Sequence, residues 1–171
     1  TDIHEGKIGR SANGHFSAAL SLTHQPDVER PANDSEKMIP IKPRYVRIEL
    51  PNRGILSLAE VQVHAVAQTG TEPKNIAAQG TPSQSSVASA GAPQRAIDGN
   101  TSGTYAEDST THTKTENQPW WELDLGTPTL IQNITIWNRT DSASNRLNGF
   151  RLVLLDENRQ PVYRTHPSLP A

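Results

Sequence analysis

Short runs of alternating apolar and polar residues, with no long helical period anywhere, limit what this chain can fold into more than any other feature. Phe16, Ala18, Leu20 and Leu22 share one face of such a run. The same holds for Val46, Ile48 and Leu50, for Trp121, Leu123 and Leu125, and for Phe150, Leu152 and Leu154. A period of two is the mark of a strand with one face buried. Leu130, Ile134 and Ile136 add a strand that ends before Asn138, and Pro161 to Arg164 return after the turn Asp156-Glu157-Asn158-Arg159. Strands this short, divided by polar turns in a chain with 11 Gly and 13 Pro among 171 residues, predict an all-β sandwich of the jelly-roll type, whose two sheets bury their inner faces against each other.

Composition narrows the partners. Sixteen basic and eighteen acidic residues leave a formal charge of −2, and no run gathers five or six like charges, so neither nucleic acid nor an anionic membrane is an expected partner. The absence of cysteine removes disulfides, thiolate metal sites and cysteine nucleophiles. No stretch of 18 apolar residues exists to form a spanning helix. Thr1 stands first with no basic, then apolar, leader before it, which reads as an excised piece of a longer protein.

One strand breaks its own parity. Leu56 and Leu58 fall on even positions, whereas Val61, Val63 and Ala65 fall on odd ones, with the slip at Ala59-Glu60. Either a β-bulge lies there, redirecting a side chain or carbonyl, or one strand ends at Leu58 and another begins at Val61.

Residues 98–146 carry the chemistry. Asp98-Gly99-Asn100 is followed by Tyr105, by Ser109-Thr110-Thr111-His112, by Trp120-Trp121, and by Arg139-Thr140-Asp141 with four residues before Arg146. Taken singly, each is ordinary: an Asx turn, a loop histidine, or two arginines paired with an aspartate at the surface. Taken together the spacing is specific, since this composition yields His, 26 residues, Arg-x-Asp, four residues and Arg or Lys by chance roughly once in a thousand chains. A neutral sugar demands such a set: rigid donors presented together beside an apolar surface. Arginine suits the task because its planar fork donates in fixed geometry, and Asp141 between the two can hold a guanidinium in place. Trp120 and Trp121 are structural, one filling the core and the other covering the rim.

This pattern resembles the F-type lectins, the fucolectin branch of the discoidin, or coagulation factor type C, galactose-binding-like superfamily. The turn Ala-Ile-Asp-Gly-Asn at 96–100 and the strand Pro-Trp-Trp-Glu-Leu-Asp-Leu-Gly at 119–126 are similar to that family as well. The resemblance implies that His112, Arg139 and Arg146 clasp the axial 4-hydroxyl, the 3-hydroxyl and the ring oxygen of L-fucose, with Asp141 as the orienting partner and Tyr105 against the C5 and C6-methyl edge. Where the family often has two adjacent cysteines after Arg-x-Asp, this chain has Ser142-Ala143, so one apolar contact with the sugar is replaced. The resemblance also implies a structural calcium ion held by Asp98, Asn100, Ser109 and the carbonyl of Arg95. Ala59-Glu60, at the parity slip, resembles the remaining carbonyl and carboxylate pair, a set of oxygens that suits calcium.

Chain order departs from the family, because the strand pair that closes the sandwich, Arg44 to Val63, precedes the sugar motif instead of following it. Either the domain is circularly permuted or the chain straddles two tandem modules. On the permuted reading, residues 1–37 are an N-terminal segment with one strand and a polar linker packed on the sandwich, and residues 38–171 are the lectin-like sandwich. The expected function is a fucose-recognising, calcium-supported carbohydrate-binding module, secreted or on a cell surface (extracellular or periplasmic), possibly within a larger multidomain protein, and not an enzyme. The alternative is a discoidin-type module for another glycan, a lipid headgroup or a protein. Carboxylates such as Glu107-Asp108 or Glu122-Asp124 could in principle form the acid-base pair of an enzymatic reading, but neither couple belongs to an arrangement that the sequence supports. Sequons at Asn33, Asn100, Asn133 and Asn138 read as accidental, since a glycan on Asn100 or Asn138 would obstruct the proposed site.

Overall fold

The computed structural model describes residues 41–67 and 71–165, together with three strands nearer the N-terminus at 4–6, 9–10 and 15–19. Leu20, Leu22 and Asn33 lie outside the described residues, as does most of the segment 1–37. Among the described residues there is no α-helix, only four short 3₁₀ turns and twelve strands. These are β1 (His4–Gly6), β2 (Gly9–Arg10), β3 (His15–Ala19), β4 (Tyr45–Glu49), β5 (Arg53–Gly54), β6 (Leu58–Ala65), β7 (Thr81–Gln84), β8 (Glu116–Asn117), β9 (Trp120–Asp124), β10 (Ile131–Asn138), β11 (Arg151–Leu155) and β12 (Pro161–Thr165).

They form a sandwich. One sheet has the order β1-β12-β11-β4-β9-β7, the other β2-β3-β10-β6, and β5 with β8 makes a small third pair. All pairings are antiparallel except β1 with β12. Alternation along each strand sends Val46 and Ile48, Trp121 and Leu123, and Leu152 and Leu154 inward from the first sheet. They meet Val61, Val63, Ile134 and Ile136 from the second in one continuous core, the layered burial that the period of two demands. Phe16 of β3 closes one end, edge-on to Phe150 with ring centroids 5.0 Å apart. Trp121 is fully buried and donates from Nε1 to the carbonyl of Pro93 at 3.0 Å, whereas half-buried Trp120 is covered by the Arg47 guanidinium, 4.6 Å from its ring centroid.

Two details differ from or settle the sequence expectation. The strand expected from Leu130 begins at Ile131, and it is Ile131 that is fully buried. A register shift between Ile131 and Asn133 allows this parity change, which simple alternation hides. At the other end of the same pairing, Trp137 faces Glu60 while Asn138 faces Leu58. Ala59 is therefore the extra residue of a bulge inside an unbroken β6, and Leu58, Ala59, Glu60 and Val61 are all buried in succession.

The pairing also settles the chain order. β4 lies between β11 and β9, and β6 pairs with β10, so the early strands complete the same sandwich as the late ones. Tandem half-modules would leave those edges open. Ile48→Ala, which removes a fully buried side chain from β4, should cost about 2–5 kcal/mol. Urea unfolding should show one cooperative transition at a lower midpoint; two separate transitions would contradict a shared core.

Candidate functional site

Three loops at one end of the sandwich converge on His112. The extended segment around it has alternating hydrogen-bonding directions. On one side, the N–H groups of Thr111 and Thr113 donate to the carbonyls of Leu58 and Leu56 at 2.8 and 3.0 Å. Their hydroxyls accept from the N–H groups of the same two leucines, both at 2.9 Å. On the other side, the His112 N–H donates to Gly91 and its carbonyl accepts from Ala88, each at 2.9 Å. Gly91 is required there, because a Cβ would lie 2.4 Å from the His112 nitrogen and 2.5 Å from its Cβ.

The imidazole so held meets Arg146, which projects from the 3₁₀ turn Ser144–Leu147, with Nη1 2.8 Å from His112 Nε2. A guanidinium only donates, so Nε2 must be the acceptor and the ring proton sits on Nδ1, where it is given to the Thr113 carbonyl at 2.8 Å. Burial, and then the charges of Arg146 and Arg139, hold the His112 pKa below the usual imidazole value, so the ring stays neutral near pH 7.

Arg139, the residue after β10, is buried, and Asp141 pairs with it in bidentate fashion at 2.9 and 2.7 Å. The Asp141 carboxylate also accepts from the N–H groups of Tyr105 and Ala143, both at 3.1 Å. The Arg139 bond first, and these N–H groups, hold it well below the usual carboxylate range. Arg139 lies over the Tyr105 ring, 4.8 Å from its centroid, and the same ring stands edge-on to His112 at 5.9 Å. The Tyr105 hydroxyl donates to the Ser89 carbonyl at 2.8 Å. All five expected sugar-site residues are thus brought together. Beyond them, Arg146 borders a cleft of about 290 Å³ with residues 50–55 and Asn148. Sequence reasoning missed Ser89 and Gly91, whose only signal was a small-residue run that reads as a turn.

The expected metal residues are partly brought together. Glu60, at 1% exposure, accepts from the Gly99 N–H at 3.2 Å through Oε1, while its buried Oε2 has no hydrogen-bond partner among the described residues. Burial chiefly, with the nearby Asp98 charge, pushes its pKa up to about 7. Asp98 and Asn100 accept from the N–H groups two residues on, at 2.8 and 3.0 Å. Ala59 is the bulge residue. Ser109 is buried and donates to the Thr104 carbonyl at 3.0 Å, and the Arg95 side chain turns away to Asp108 at 2.9 Å. Among the described residues no three His, Cys, Asp or Glu side chains form a metal-holding group. Calcium does not need one, since carbonyl, amide and hydroxyl oxygens complete its shell. An orphaned, buried carboxylate oxygen beside Asp98 suits a cation.

The enzymatic couples are committed elsewhere. Glu122 is held by Arg47 and Arg159 at 2.7 and 2.6 Å, and Asp124 by Arg44 at 2.9 Å. Glu107 accepts from the Ser102 hydroxyl at 2.6 Å, and Asp108 pairs with Arg95. Asn138, one of the sequon asparagines, is buried and donates to the Ser144 carbonyl.

Comparison with known proteins follows the same stretch. The family described as NedA-like, galactose-binding domain matches residues 95–168. A pentraxin fusion protein of Xenopus laevis is 38% identical over 77 residues, covering 44% of this chain and 18% of that protein. Fucolectin-1 of Anguilla japonica is 37% identical over 86 residues, 47% of this chain and 48% of that one. A fucolectin of Anguilla anguilla is 33% identical over 89 residues, 49% and 56% of the two chains. The chain thus spans about half the length, or less, of most of these relatives. No solved structure matches.

The tautomer assignment has a measurable consequence. The NMR titration midpoint of the His112 ring should lie below the ordinary value of about 6.5, and Arg146→Ala should raise it by removing the adjacent charge. A midpoint at or above the ordinary value in the parent protein would contradict the neutral, accepting imidazole.

Proposed function

We propose that the chain carries an F-type lectin, discoidin-like domain, a binding module and not an enzyme, and that it is a carbohydrate-binding lectin whose His112, Arg139 and Arg146 hold L-fucose or a related sugar. The observation that carries this reading is the meeting of His112, Arg146, Arg139 and Tyr105, drawn from separate loops, at one end of the sandwich. Asp141 fixes one edge of the Arg139 guanidinium, so the arginine reaches the ligand already ordered and loses little rotamer freedom on binding. Neutral His112 can accept a hydroxyl proton where Arg146 now donates, and the Tyr105 ring supplies an apolar face. The cleft beside Arg146 leaves room for the remainder of a glycan. Ser142-Ala143 in place of paired cysteines weakens the contact on one side, which favours tolerance of galactose-type sugars.

Arg146→Ala should cost about 1.5–3 kcal/mol of fucose binding, roughly ten- to a hundredfold, measured by titration calorimetry. Arg146→Lys should rescue it poorly because a point charge cannot reproduce the fork. Unchanged affinity in a folded Arg146→Ala protein would sink the clasp. A glycan array returning only non-fucose glycans, or a lipid or protein ligand, would favour the broader discoidin-type reading.

Calcium is the second part of the proposal. Glu60, Asp98, Asn100, Ser109 and the carbonyls of Ala59 and Arg95 would hold it, and the ion would supply charge for the orphaned Glu60 oxygen while tying β6 to the turn at 98–100. At a hundredfold excess over its dissociation constant it should add about 2.7 kcal/mol of stability. Glu60→Gln keeps the shape and removes the charge, so it should abolish most of the calcium-induced rise in melting temperature while leaving the protein in chelator no less stable. Equal calcium shifts in parent and variant would reject the site.

The natural partner is then a fucosylated glycan or similar carbohydrate, met outside the cytoplasm, extracellularly or in a periplasm. Among the described residues no helix is long and apolar enough to cross a membrane. A place within a larger protein accords with the likeness to a pentraxin fusion protein.

A further inference from the structure

Gln84, the last residue of β7, belongs to no expected site, yet one amide group of its side chain serves three main-chain carbonyls. Its Nε2 donates to Ser86 at 2.7 Å, to Gly91 at 2.9 Å and to His112 at 3.2 Å. The orientation of the amide is fixed by chemistry, since the opposite one would set its oxygen against three carbonyl oxygens. Its Oε1 is buried and has no partner among the described residues. The side chain is therefore held for its donors, at the expense of its acceptor.

What those donors gather is the loop from Ser86 to Gly91 and the main chain of His112. The loop contains two consecutive non-glycine residues in the left-handed region, Ser89 at φ 51° and Ala90 at φ 56°. Such residues persist only where their surroundings over-determine them. Here the Gly91 N–H donates back to the Ala88 carbonyl at 2.9 Å. At the loop base, the hydroxyls of Ser85 and Ser86 both donate to Glu116, at 2.5 and 2.7 Å. The strained tip presents one group to the site, the Ser89 carbonyl that accepts the Tyr105 hydroxyl.

We infer that Gln84 is a positioning residue of the clasp: through the loop 86–91 it fixes both the main chain of His112 and the ring of Tyr105. This rests on the sugar-binding reading above. Gln84 touches no ligand; it acts through Ser89 on Tyr105, and through Gly91 and the His112 carbonyl on the imidazole. The ring of Tyr105 faces the apolar edge of the sugar on that reading, so the property Gln84 controls most directly is discrimination between a methyl and a hydroxymethyl group at C5.

The test uses Gln84→Met, which keeps length and loses every donor, Tyr105→Phe, which removes only the hydroxyl bonded to Ser89, and the double variant. Gln84→Ala, which loses the same donors without placing a charge or a long side chain there, replaces Gln84→Met if thermal melts show that the latter does not fold. Affinities for L-fucose and L-galactose are measured for each, with hydrogen exchange at the amides of Ala88, Gly91 and His112. Gln84→Met should weaken fucose binding about tenfold and narrow the fucose-to-galactose ratio. Tyr105→Phe should narrow the ratio similarly, and the double variant should fall well short of the product of the two effects, because both break one chain of contacts. Exchange at Gly91 and His112 should quicken in Gln84→Met. Unchanged affinity and ratio, or fully multiplicative effects, would overturn the role. If the parent protein binds neither sugar, the lectin reading falls by itself, and exchange then decides the present one: quickened amides support it, unchanged ones overturn it.

Discussion

The double row of hydrogen bonds between Thr111 and Thr113 and the leucines at 58 and 56 is the interaction on which the rest of this protein depends. Each threonine gives its N–H and takes its partner's through the hydroxyl, so four hydrogen bonds satisfy eight polar groups in a buried place where an unpaired one costs about 1–3 kcal/mol. The row welds the early strands β4 to β6 to the segment that carries His112. In an extended segment, neighbouring residues present their groups in opposite directions. Anchoring Thr111 and Thr113 on one side therefore leaves the N–H and carbonyl of His112 facing the loop at 88–91 on the other. One alternation supplies both the anchor and the hydrogen bonds to the loop at 88–91.

Around this row the charges are arranged by depth. Arg139 is nearly buried and is matched by Asp141 in a bidentate pair, and the same carboxylate orders Tyr105 and Ala143 through their N–H groups. Glu60 is deeper still and has no cationic partner among the described residues, and burial chiefly raises its pKa to about 7. Removing a partner from a buried ion leaves a penalty of several kcal/mol. That is why the bulge at Ala59 matters: it forces a carboxylate into the rim of the sandwich, beside Asp98, in a place where the chain gains stability only if a proton or a cation joins it.

Most of the fold was legible because burial follows parity. Val46 and Ile48, Trp121 and Leu123, Leu152 and Leu154 alternate cleanly and all lie in the core. Parity also betrayed the bulge, since a one-residue slip inside an apolar run has few other causes. It failed at Leu130, where a register shift in β10 moves the inward position to Ile131, and a shift of this kind leaves no mark when adjacent residues are both apolar. That His112, Tyr105, Arg139, Asp141 and Arg146 meet was legible through their spacing and the family pattern it resembles, because the segments that join them are fixed in length even though their shapes are not. Ser89, Gly91 and Gln84 were not legible: Ser89 acts through a carbonyl, Gly91 through the absence of a Cβ, and Gln84 through contacts with main chain, none of which depends on a recognisable residue pattern.

On the proposed lectin reading, a pre-ordered clasp also accounts for the strain in the loop beside His112. A small ligand with few hydroxyls repays little ordering of the protein on binding, so the groups that meet it must be ordered beforehand by contacts that the ligand does not make. Ser89 and Ala90 at positive φ and the close approach of Gly91 to His112 lie in one loop beside the imidazole, and the buried Gln84 oxygen, without a partner among the described residues, lies at the base of that loop. Each is unfavourable locally. Together with the threonine row opposite, they hold His112 from both sides, and the folding energy of the whole sandwich bears the cost of that arrangement before any ligand could arrive.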